Sequence, residues 1–179
     1  MRLKRPTGAG ASWADDEPRR NAYTPRMKKL KALLFGGAGA VTWFGDLGLT
    51  LVRVLAGLCM AYGHGYSKMF HAGGVGPGKD FINMTGEMGF PAPTLFAWMA
   101  ALTEFLGGLL LAAGLMTRPA AFFLVCNMLV AAFIAHRGAP NFGPAEGNRE
   151  LALLYLFLFT GFVFVGGGRY AIDALLRRK

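Results

Sequence analysis

The chain has 179 residues, of which 54% are hydrophobic and 16% charged, with 15 Phe and 26 Gly, and its mean hydropathy is +0.38. That composition excludes an ordinary soluble domain and points to an integral membrane protein. A formal net charge of +9 would suit a nucleic-acid binder, but nine of the 19 Lys and Arg residues precede residue 32 and others close the chain; basic residues that flank apolar spans report membrane orientation, so no nucleic-acid partner is expected.

In chain order, residues 1–26 are Pro-rich and charged and are expected to be disordered. Residues 27–40, "MKKLKALLFGGAGA", join a basic start to a short apolar run and small residues, which is the layout of a signal peptide. Cleavage there would put the new N-terminus outside and invert every following span against the charge rule. The segment is therefore read as an uncleaved interfacial helix, with Leu30, Leu33 and Leu34 at headgroup level and its lysines towards anionic lipid. Met27 is an alternative start codon. Residues 1–46 thus form a basic N-terminal extension and 47–179 a membrane domain.

A span needs roughly 20 mainly apolar residues to cross about 30 Å of hydrocarbon. Four stretches meet or approach this, at about 47–70, 93–115, 119–136 and 148–166. Between the second and third lies only "MTRP", a tight turn with Pro119 suited to the first helical position, so these two spans make an antiparallel hairpin. The expected fold is all-α, a polytopic four-helix bundle of the inner membrane. Arg118 and the basic residues at both ends face the inside if both termini are cytoplasmic, which leaves the outside few Lys and Arg; that is the orientation taken. Between the first and second spans, residues 71–92 are Gly-rich. There Phe81, Met84, Thr85 and Met88 share a helical face, which predicts a short helix across the outer mouth of the bundle.

Cys59 and Cys126 fall in separate apolar stretches and are read as small core residues, with no disulfide or CxxC pair. No Walker motif, HExxH, GxSxG or metal-spaced cluster occurs, so no metal site is expected. The chemistry lies instead in ionisable side chains within the spans, which are costly there and normally face a protein interior. Arg53 is in the inner third of the first span. His64 and Lys68, four residues apart, share one face near its outer end, where an interfacial anchor that snorkels to the surface is an equal reading for Lys68. Glu104 is about halfway down the second span, with Arg53 or His64 as its reachable partner, and an Arg53–Glu104 ion pair is expected to lock the helices. His136 closes the third span, and Arg149 and Glu150 open the fourth. His64 and Glu104 are the candidate catalytic pair, because an imidazole near a carboxylate can exchange protons near neutral pH. Lys68, His136, Tyr62 and Tyr66 are the candidate ligand-binding residues, with Phe70 beside them. Gly57 and Gly65 on the first span, and Gly107 and Gly108 on the second, form small-residue seams on which two helices approach closely.

The order Arg53, "YGHGYSKMF", "GFPAP", "TEFLGGLLLAAGLMTR", His136, "RELALLY" and "GGGRYAIDALLRR" resembles the DoxX family of bacterial four-helix membrane proteins, over residues 44–179. The motif positions matched are Arg53, His64, Gly65, Lys68, Glu104, Gly107, Gly108, Arg118, His136, Glu150, Arg169, Tyr170 and Asp173. The resemblance implies an inner-membrane four-span protein. It also implies a link to membrane redox complexes, since the family includes a small subunit of a thiosulfate:quinone oxidoreductase and relatives are tied to thiol stress. No catalytic assignment comes with it. The leading expectation is a subunit of such a complex that binds a quinone, or a similar small amphipathic molecule, in an outer-leaflet pocket, with a redox partner protein or a second copy of the chain beside it. Two other readings stand next to it. One is a non-enzymatic scaffold or assembly factor that uses the ionisable groups for helix registry; the other is a small-molecule transporter.

Overall fold

A computed structural model of the protein describes residues 43–71, 73–140 and 149–178. Residues 1–42 of the extension, including the interfacial segment expected at 27–40, lie outside the described residues, and its last four, 43–46, open the first helix instead. Four antiparallel helices make the body. Helix α1 (Trp43–Met69), α3 (Pro93–Ala113) and α4 (Thr117–Ala135) are each long and apolar enough to cross a membrane. The fourth, α5 (Glu150–Val165), has 16 residues and spans only about 24 Å. A two-residue hairpin, β1 (Phe70–His71) with β2 (Gly74–Val75), and the short helix α2 (Lys79–Glu87) follow α1, while α6 (Ile172–Arg178) follows α5.

Helix α1 packs on α3, α3 on α4, and α4 on α5. The starts of α1 and α4, the ends of α3 and α5, and α6 gather at one end, called here the terminal end; the hairpin, α2, the end of α4 and the start of α5 are at the other, the loop end. A buried cluster that includes Met60, Leu111, Leu124, Met128 and Phe159 fills the space between the helices. Outward faces carry Leu51, Leu55, Leu106, Phe122, Phe133, Leu154 and Phe157, all exposed. Apolar side chains facing out and the tightest packing facing in is the arrangement lipid allows and water does not.

The α1–α3 contact depends on small residues. A Cβ on Gly57 would come within 2.5 Å of the Gly108 carbonyl oxygen, and one on Gly65 would overlap the backbone at Glu104 and Phe105. Gly108 faces Gly57 and Ala61 across the same seam, whereas Gly107 faces Leu124 of α4. The two helices therefore meet backbone to backbone, and this fixes their register: Gly57 is level with 108–112 and Gly65 with 104–105.

The α3–α4 turn closes on Gly114, whose φ of 71° is the left-handed conformation that ends helices. The Leu115 amide returns to the Leu110 carbonyl at 3.0 Å. Met116 also has positive φ, 48°, and α4 begins at Thr117, so Pro119 is its third residue rather than its first. It is still within the turn where a missing N–H has no helical partner to lose. Asp173 of α6 accepts from the Met116 amide at 2.7 Å and the Thr117 amide at 2.8 Å.

Candidate functional site

Lys68 lies in the last turn of α1. Side chains on a helix lean towards its N-terminus, so the lysine stem runs back into the bundle. Its Nζ donates to both oxygens of Glu104, at 2.5 and 2.7 Å, and is 5.1 Å from the ring centre of Phe81 on α2. The Glu104 side chain is 3% exposed. Asn127 of α4 donates a third hydrogen bond from Nδ2 to Oε1 at 2.8 Å. One carboxylate thus ties α1, α3 and α4 together, and a charge that would be very costly alone in an apolar interior has its counter-ion and an amide within reach.

Arg53 is not the partner of Glu104, which corrects the expected ion pair. The reason is depth: the glycine register puts Arg53 level with the end of α3, and its buried Nη1 donates to the Leu111 carbonyl, at 2.8 Å, and to that of Ala112. The guanidinium caps the C-terminal carbonyls of α3, where a cation meets the negative end of the helix dipole.

Two cavities adjoin the Lys68–Glu104 pair. The first, of about 370 Å³, lies between α2, α3 and α4. Its walls are mostly aromatic and thioether groups, among them Phe81, Met84, Met88, Phe96, Met99 and Phe123, while Lys68, Glu104, Asn127 and His136 form its polar end. The amphipathic face foreseen in the loop is the one α2 turns into this cavity, with Thr85 donating to the Phe81 carbonyl at 2.7 Å. The second cavity, of about 320 Å³, lies between α1, α4 and α5 and is lined by His64, Lys68, Glu104, His136 and Tyr155 with Met60 and Met128. There the His64 ring meets Tyr155 edge-on at 5.7 Å between centres.

The expected ligand residues divide accordingly. Lys68 and His136 line both cavities and His64 the second only. Tyr62 and Tyr66 line neither cavity: they are 60% and 49% exposed, Tyr62 meeting Phe105 edge-on and Tyr66 lying tilted against Phe70 and Phe105 on the outer surface. Successive positions on a helix cannot all face inward, and the seam at Ala61 and Gly65 takes the inward direction. Cys59 and Cys126 are free and exposed, not core residues, and Cys126 lines the first cavity. Among the described residues no group of three His, Cys, Asp or Glu is placed to hold a metal ion.

Two residues, Asn127 and Tyr155, were missed in the sequence, and a third, Asp173, was matched only as a family position without a role. Asn127 is a polar residue in the apolar run "LVCNMLV", which the cost of burying an amide in lipid flags by itself. Tyr155 and Asp173 carry no such signal, since a tyrosine in a span and an aspartate beyond the last one are ordinary. Missed too are three π-helical turns, Cys59–Gly65, Thr103–Gly107 and Ala131–Ala135, one in each long span. His64 and Glu104 lie in two of them and His136 directly follows the third. A π-turn adds a residue to the turn and re-aims the side chains around it, and such turns recur at functional sites.

A family model described as DoxX matches residues 48–137. Over 100 residues the chain is 42% identical to an uncharacterized protein of Haemophilus influenzae, covering 55% of this chain and 74% of that one. It is 31% identical over 138 residues to the inner membrane protein YqjF of Escherichia coli, covering 75% and 95%. It is 27% identical over 158 residues to the uncharacterized membrane protein Rv3486 of Mycobacterium tuberculosis, covering 80% and 93%. No solved structure matches significantly.

Proposed function

From the premise that this chain belongs to the DoxX family and is a multi-pass inner-membrane protein, we propose that it binds a small amphipathic molecule of the quinone class, as a membrane subunit of a redox complex. The observation that carries this reading is the Lys68–Glu104–Asn127 cluster at the polar end of a 370 Å³ cavity walled by Phe and Met. Ligand pockets are typically apolar slots with a few converging polar groups. Phe96, Met99 and Phe123 would sandwich a ring. The Lys68 ammonium and the Asn127 amide would donate to its carbonyl oxygens, and Glu104 with His136 would hold the protons.

Reducing a quinone to a quinol takes up two electrons and two protons. In this reading the protons pass through Glu104 and His136, while the electrons come from a partner subunit that carries a redox cofactor. Entry is from the bilayer, because Met84, Met99, Phe123 and Cys126 are exposed at the cavity's rim. The test is binding of decylubiquinone to the full chain in lipid nanodiscs, read as a change in Kd. Lys68→Met and Phe123→Ala should each weaken binding roughly tenfold or more, about 1.4 kcal/mol, while Phe157→Ala on the opposite outer face leaves it unchanged. Absence of binding, or equal affinity in all variants, would overturn the reading.

A further inference from the structure

Lys68, Glu104, Ala131 and His136 line both cavities, so the ion pair is a wall with two faces. One face looks into the Phe and Met cavity. The other looks into the 320 Å³ chamber, where His64 and Tyr155 join His136 to supply two imidazoles and a phenol. A water takes up roughly 30 Å³ and stays in a cavity where it finds two to four polar partners. The second chamber has room for several waters and offers such partners around its wall; the first offers them at one end only.

We propose that the chamber between α1, α4 and α5 is the hydrated face of the Lys68–Glu104 pair, the route by which water and protons reach Glu104 from the aqueous phase at the loop end. The ionisable groups around that carboxylate come from three helices: Lys68 and His64 from α1, His136 from the end of α4 and Tyr155 from α5. Helix α2 contributes none and sets the Phe81 ring against the ammonium instead. Protons delivered this way would serve a ligand in the first cavity, and in that respect the inference rests on the ligand reading; hydration of the chamber does not.

The test uses the full chain in proteoliposomes with Cys59→Ser and Cys126→Ser. A single cysteine is placed at Ala152, which lines the chamber and is 6% exposed, and another at Leu154, which is 55% exposed on the outer face of α5. Only a thiolate attacks the sulfur of a charged methanethiosulfonate reagent, and a thiol ionises only where water reaches it, so Ala152→Cys should react roughly tenfold faster than Leu154→Cys. Equal rates would overturn the proposal. An acid jump followed by infrared spectroscopy then reads the Glu104 carboxyl band, identified by its loss in Glu104→Gln. Modifying Ala152→Cys should slow the band's appearance roughly tenfold if protons take this route through the span; an unchanged rate would overturn the route. Fast cysteine modification together with failed quinone binding would discard the ligand reading and leave the hydrated chamber standing.

Discussion

Glu104 accepts from two donors on two different helices, Lys68 and Asn127, and each of these bonds has a separable worth. Removing Lys68 leaves the buried Glu104 carboxylate without its counter-ion, but the lysine side chain is 30% exposed and Asn127 still donates, so Lys68→Met should destabilise the protein by up to about 3 kcal/mol. The double substitution Lys68→Met with Glu104→Leu removes both charges and should recover much of that loss without restoring quinone binding. Denaturant unfolding of the purified variants checks the first outcome, and the binding assay the second. A double variant as unstable as the single one would mean that the pair contributes more than mutual neutralisation. That the Glu104 carboxylate would face inward was legible, because its charge is costly against lipid; for Lys68, near the end of its span, a surface anchor was an equal reading. Which cation reached the carboxylate was not legible: that is decided by a vertical register of a few residues, and apolar sequence carries no depth markers. Arg53 and His64 were the partners expected for Glu104, yet the cation that reaches it is Lys68, and Arg53 lies at the other end of the contact between α1 and α3.

Between elements, the chain joins helix ends to charges drawn from elsewhere in the sequence. Arg53 of α1 holds the last carbonyls of α3, Arg118 of α4 donates to the Phe164 carbonyl near the end of α5 at 2.9 Å, and Arg149 donates to the carbonyl of His136 that ends α4 at 3.3 Å. Asp173 does the converse at the amides that open α4. Asp173→Ala should cost about 1–3 kcal/mol, since one buried and one half-buried amide lose their acceptor, and should lower the unfolding temperature; Asp173→Asn, which keeps one acceptor, should cost less. The α1–α3 seam supplies a paired test. Gly57→Ala drives a methyl into the Gly108 carbonyl and should destabilise by roughly 1–3 kcal/mol, whereas Gly48→Ala meets nothing within 4 Å and should be close to neutral. The small-residue spacing was readable as a pattern. The caps were not, because each joins residues distant in the chain, and the π-turns were not, because counting faces at 3.6 residues per turn assumes they are absent.

At the scale of the whole molecule, the order and type of the spans follow from hydropathy alone, and the antiparallel hairpin from four residues of turn. Orientation is the step that charge patterning adds. With both termini in the cytoplasm, a fluorescent protein fused after Lys179 should glow and alkaline phosphatase fused there should be inactive; the reverse would place the Lys68 end of the bundle towards the cytoplasm instead. Helix α5 ended up shorter than the expected 148–166. Its 16 residues cover about 24 Å, against roughly 30 Å of hydrocarbon.

That shortfall makes the bilayer uneven around the protein. Beside α1, with its 27 residues, acyl chains can stand at full height, but along the α5 flank they must compress by several ångströms, at a fraction of a kcal/mol for each. The dimple so formed draws headgroups down towards His64 and Tyr155, and short-chain lipids should collect there and stabilise the fold more than long-chain ones do.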